Sequence, residues 1–111
     1  MSLAGSTPPK IVKNLKGTIA EKGSDVIFEA GIEGSPFPKC TWIKDNQQVF
    51  GPQANKFTIT SGNGKSTLVI HRATLQDSGN YKVEIANIAG SAWTSAELKV
   101  KSSDTPSSFL H

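Results

Sequence analysis

The stretch Leu75-Gln76-Asp77-Ser78-Gly79-Asn80-Tyr81-Lys82-Val83 constrains the fold more than any other. Asp77, Ser78 and Gly79 are turn formers. Directly after them Tyr81, Val83 and Ile85 alternate with Lys82 and Glu84. That period of two is the signature of a half-buried antiparallel strand, with the first set facing a core and the second facing water. A tight corner feeding such a strand predicts antiparallel sheet at this point of the chain.

Read in order, Pro8-Pro9-Lys10-Ile11-Val12 predicts an extended edge strand, because proline cannot donate to a central ladder. The strand breaks near Asn14 and resumes over 17–20. Over 25–32 the residues Val26, Phe28, Ala30 and Ile32 alternate with Asp25, Glu29 and Gly31, with Ile27 as a discord on the outer face. A stiff connection through Pro36 and Pro38 leads to a strand over 40–44, where Cys40 and Trp42 share a face. Residues 45–48 read as a polar turn, and Val49 and Phe50 lead into a loop containing Gly51-Pro52. Strands follow over 57–60 and 66–70, joined by the hairpin connection 61–65. A second hairpin loop, Asn87-Ile88-Ala89-Gly90, leads to the last strand, where Ala96, Leu98 and Val100 oppose Glu97, Lys99 and Lys101. The expected core is Val26, Phe28, Trp42, Leu68, Ile70, Leu75, Tyr81, Val83, Ile85 and Leu98. Residues 1–7 read as a linker or cloning remnant, 8–101 as one domain, and 102–111 as a flexible tail or interdomain linker.

Cysteine usage bears on the compartment. Cys40 is the only cysteine among 111 residues, so no internal disulfide can form, and it reads as a small buried apolar group. No Asn-X-Ser/Thr acceptor occurs. Both observations point to the reducing interior of a cell. Twelve basic and nine acidic residues leave a net charge of +3. Without a dense basic run, Lys10, Lys13, Lys16 and Lys22 read as solvated surface, not a nucleic-acid patch. No apolar run is long enough for a membrane.

The chemical signals are weak. Gly62-Asn63-Gly64-Lys65-Ser66 looks like the end of a phosphate loop, but Ile59 stands where the motif needs a glycine and a strand follows where it needs a helix. Cys40 faces inward and His71 outward, which separates these two as a nucleophile and its base. The scattered His and Cys show no metal-ligand spacing. We therefore expect no enzyme activity, no cofactor and no metal.

Pro8-Pro9-Lys10-Ile11, Trp42-Ile43-Lys44-Asp45, Asp77-Ser78-Gly79-Asn80-Tyr81 and Asn87-Ile88-Ala89-Gly90 are similar to stretches of intermediate-set immunoglobulin domains. The domains they resemble are those of the intracellular titin-like muscle proteins, a group that includes titin, myosin-binding protein, obscurin and twitchin-type kinases. The resemblance implies a Greek-key β-sandwich of two antiparallel sheets, with Asp77, Gly79 and Tyr81 forming a tyrosine corner. It also places Ala30 and Val83 at the two usual cysteine positions, beneath Trp42, so the inter-sheet disulfide is replaced by an apolar centre. Leu75, Asp77, Gly79 and Tyr81 complete this core signature.

The function implied by that resemblance is structural. The chain would be one link of a tandem array in a sarcomeric protein, monomeric in isolation and sited in the cytoplasmic cytoskeleton. Its partners would be neighbouring immunoglobulin or fibronectin-type domains and myosin or actin filament proteins, with no nucleic acid or membrane. An extracellular adhesion module and a domain flanking a muscle-type kinase are the alternatives. Two surface features follow from the strand order expected for such a sandwich. Phe37, Ile88 and Trp93 would gather near one pole, either as a partner or interdomain contact or with Phe37 and Trp93 capping the end of the core, and the strand over 17–20 would run parallel to the last strand as a clamp against pulling.

Overall fold

The computed structural model describes residues 5–49 and 56–102. The expectations for Phe50, Gly51-Pro52, residues 1–4 and residues 103–111 lie outside the described residues. Among the described residues, nine strands form two facing sheets. One contains β1 (Thr7–Lys13), β3 (Val26–Ser35), β7 (Lys65–Ile70) and β6 (Phe57–Gly62), in the order β1-β3-β7-β6. The other contains β2 (Thr18–Glu21), β9 (Gly90–Lys101), β8 (Gly79–Asn87), β4 (Lys39–Lys44) and β5 (Gln47–Gln48), in the order β2-β9-β8-β4-β5. Every pairing is antiparallel except that of β2 with β9.

The alternation in the sequence becomes the division between core and surface. Val26, Phe28, Ala30 and Ile32 of β3 are buried, as are Ser66, Leu68 and Ile70 of β7 and Tyr81, Val83 and Ile85 of β8. Ile27, the discordant residue, faces water. The Phe28 and Tyr81 rings, from opposite sheets, lie 5.2 Å apart between centroids. The β6–β7 hairpin closes on Asn63 and Gly64, both at positive φ, which matches the twist a two-residue turn requires.

Four local expectations change. Strand β3 runs on to Ser35 because Thr7 of β1 pairs with it there. The polar stretch after β4 is a two-residue turn, Asp45 and Asn46, with Gln47–Gln48 folding back as β5 against Ile43 and Lys44. Leu75, expected in the core, is 51% exposed. It opens a one-turn 3₁₀ segment, Leu75–Asp77, in which successive side chains point roughly a third of a turn apart. The inward places at this corner go to Ala73 and Asp77. Cys40 packs against the core but is only partly buried, with Sγ 3.6 Å from the Pro38 carbonyl oxygen.

The centre of the sandwich is closed by a polar link between the two sheets. Trp42 pairs across the strands with Val83, and Ala30 pairs with Ser66 in the opposite sheet. The Trp42 indole Nε1–H donates to Ser66 Oγ at 2.9 Å, so the indole spans from one sheet to the other. Ala30, Ser66, Trp42 and Val83 are all essentially without solvent contact. Ser66 Oγ also shares a hydrogen bond with Ser61 Oγ at 2.8 Å, so burying the hydroxyl leaves nothing unpaired.

Candidate functional site

Two regions have the geometry to act: the parallel pair near the two ends of the domain and the pole carrying the β3–β4 and β8–β9 connections. In the parallel pair, Thr18, Ile19, Ala20 and Glu21 align with Leu98, Lys99, Val100 and Lys101. The ladder continues one residue further, Lys22 N–H donating to the Lys101 carbonyl at 2.7 Å. The upstream end of β2 and the downstream end of β9 therefore lie at opposite ends of the paired stretch. Ile19 is exposed on the outer face, and with Leu75, Ser78 and Lys99 it lines a shallow groove beside the clamp.

The corner that precedes β8 abuts this clamp and is tied from several sides. Tyr81 Oη–H donates to the Asp77 carbonyl at 2.7 Å, the bond that defines a tyrosine corner. Asp77 Oδ2 accepts from Thr74 N–H at 2.7 Å and from Thr74 Oγ1–H at 3.3 Å, capping the 3₁₀ turn. Lys56 Nζ reaches the same carboxylate at 2.6 Å and donates to the Arg72 carbonyl at 3.1 Å. Nothing local in the sequence indicates Lys56, since the pairing is set by tertiary packing alone. Desolvation in the core, followed by the nearby Asp77 and Asp45 charges, pushes the Tyr81 phenol far above its ordinary range.

Asp45 holds the corner from the other side. Its Oδ1 accepts from Asn80 N–H at 2.9 Å and its own N–H donates to the Asn80 carbonyl at 2.9 Å. The Asn80 backbone bond, then Lys44, holds the Asp45 carboxyl below the usual carboxylate range. Asp25 is lowered likewise, chiefly by the Arg72 backbone N–H. A group with a depressed folded-state pKa contributes stability above its unfolded value of about 3.9 and loses it as pH falls through the folded value. Urea midpoints should therefore decline below about pH 4, and more shallowly in Asp45→Asn than in the parent. Equal slopes would remove Asp45 from the acid dependence.

At the pole, Asn87 draws three segments together. Its Nδ2 donates to the Thr7 carbonyl at 2.8 Å and to the Pro36 carbonyl at 3.0 Å, while its Oδ1 accepts from Ala89 N–H at 2.8 Å. Phe37 and Ile88, 41% and 68% exposed, stand on the two connections joined in this way. Trp93 is exposed too, three residues into β9 from the β8–β9 connection. It lies further along β9 on the outer face of the five-stranded sheet, opposite Glu84, with Lys82 Nζ 5.4 Å from its ring centroid. Residues of odd parity on β9 point away from the core.

The sequence profile of the immunoglobulin I-set domain matches residues 9–100. Titin from Drosophila melanogaster is 37% identical over 93 residues, covering 84% of this chain and, to the nearest per cent, 0% of that protein. The SPEG neighbor protein of Homo sapiens is 39% identical over 93 residues, covering 84% of this chain and 38% of that protein. The chain thus spans well under two thirds of either relative. Among solved structures, titin domains z1z2 in complex with telethonin superpose with a TM-score of 0.83 at 30% identity, covering 92% of this chain and 50% of that one. With that profile spanning the two-sheet sandwich described above, the chain belongs to the immunoglobulin I-set domain family.

Proposed function

We propose that this domain is a non-catalytic link in a tandem array within a large cytoskeletal muscle protein, where it spaces, bears load or docks filament proteins in the sarcomere. The observation that carries the reading is the parallel pairing of β2 with β9. Tension applied at the two chain ends draws Thr18 and Lys101 apart along the strand axis, so the hydrogen bonds from Thr18 to Lys22 are sheared together instead of opening one at a time. The exposed Phe37 and Ile88, on connections rigidified by Asn87, offer a contact for a preceding domain or partner protein. The likeness to titin, and to titin domains solved with telethonin, supports a protein partner and a sarcomeric setting.

Single-molecule extension between the two ends tests this. The expected record is one discrete unfolding event per domain. Smooth extension at negligible force would overturn the mechanical role.

A further inference from the structure

We infer that Ser78 is a positioning residue for the clamp, locking the downstream end of β9 from the edge opposite β2. The inference rests on the mechanical reading above and extends it to the corner before β8. Along β9, successive backbone groups point alternately to the two neighbouring strands. Lys101 faces β2, its carbonyl accepting from Lys22 N–H. Val100 faces the other way, where β8 has already run out, because its first residue, Gly79, is opposite Leu98. The Val100 N–H would be left without a ladder partner, and Val100 itself is buried. Ser78 Oγ fills the gap, accepting that N–H at 2.9 Å.

A single serine hydroxyl makes a firm anchor only when its backbone is fixed, and here it is. Ser78 N–H donates to the Leu75 carbonyl at 3.2 Å, closing the 3₁₀ turn. The preceding residue, Asp77, is held by Tyr81 through its carbonyl, and by Thr74 and Lys56 through its carboxylate. The tyrosine corner therefore has a second role beyond ordering the start of β8. It presents the Ser78 hydroxyl to the segment of β9 that β2 pulls on. Under tension β9 is loaded from the β2 side at Lys99 and Lys101 and restrained from the corner side at Val100.

The test compares Ser78→Ala with Ser61→Ala, which also deletes one hydroxyl hydrogen bond but in the other sheet. At fixed force, Ser78→Ala should unfold about fivefold faster than the parent, the rate equivalent of one hydrogen bond lost before the barrier is crossed. Ser61→Ala should stay within about twofold, and Ser78→Thr, which keeps the hydroxyl, should restore the parent rate. Native-state hydrogen exchange gives an independent readout, with the Val100 amide losing protection in Ser78→Ala and retaining it in Ser61→Ala. The inference is overturned if Ser78→Ala unfolds at the parent rate under force, or if Val100 protection is unchanged. Either result is separable from failure of the mechanical reading, in which the parent domain itself would show no discrete event.

Discussion

Trp42→Ala lowers the free energy of unfolding by about 3 to 5 kcal/mol, a large share of the roughly 5 to 15 kcal/mol that holds a domain of this size together. The indole is almost without solvent contact and occupies the space between the sheets at the level of Ala30 and Val83. Removing it leaves a cavity that neither strand can close, because β4 is tied to β8 and β3 to β7 on either side. With a urea slope of about 1 to 3 kcal/mol per molar, the midpoint should fall by at least about 1 M, followed by circular dichroism. The same truncation at Trp93, which is 62% exposed, removes only a surface ring and a cation–π contact and should cost about 1 kcal/mol or less. Similar losses at both tryptophans would mean that Trp42 is not the centre of the core. A double-mutant cycle of Trp42→Phe with Ser66→Ala isolates the inter-sheet hydrogen bond, with a coupling of about 1 kcal/mol expected.

That cycle addresses a feature the sequence could have disclosed. Ser66 has the same parity as Leu68 and Ile70, so a buried hydroxyl is implied, and a buried hydroxyl needs a partner. The indole N–H of Trp42, the largest buried donor from the facing sheet, is a natural candidate. Other parts of the architecture were legible because each rests on local periodicity: β3, β7 and β8 declare their inward faces residue by residue. The parallel alignment of β2 with β9 was readable only through resemblance, since nothing local says which strand a four-residue segment joins. Leu75 misleads for a different reason. Its hydrophobicity suggests burial, but a 3₁₀ turn sends it outward and hands the inward positions to Ala73 and Asp77. Lys56 and Ser78 could not be singled out at all, because their partners, Asp77 and the Val100 amide, are chosen by where the corner packs. Trp93 was legible by parity alone, which gives its exposure.

Gly79→Ala should cost about 2 to 4 kcal/mol, the sum of backbone strain and a displaced hydrogen bond. Gly79 has a φ of +154° at the first residue of β8, a conformation that a side chain opposes. A Cβ there would also stand 2.9 Å from Asp45 Oδ1 and 3.0 Å from Asp45 Cγ, and nearer still to Oδ2. Asp45 cannot swing aside freely, because Oδ1 accepts the Asn80 N–H and Oδ2 meets Lys44 Nζ at 3.0 Å. The two costs separate in a cycle with Asp45→Ala. If the collision with the carboxylate matters, Gly79→Ala is less damaging once Asp45 is truncated, with only the backbone strain remaining. An equal loss in both backgrounds would assign the whole effect to φ and leave Asp45 as a bystander. Because Gly79 follows Ser78 directly, the same strain should loosen the hydroxyl that restrains Val100. Gly79→Ala is therefore expected to speed unfolding under tension as well as in urea, linking the glycine of the corner to the clamp it abuts.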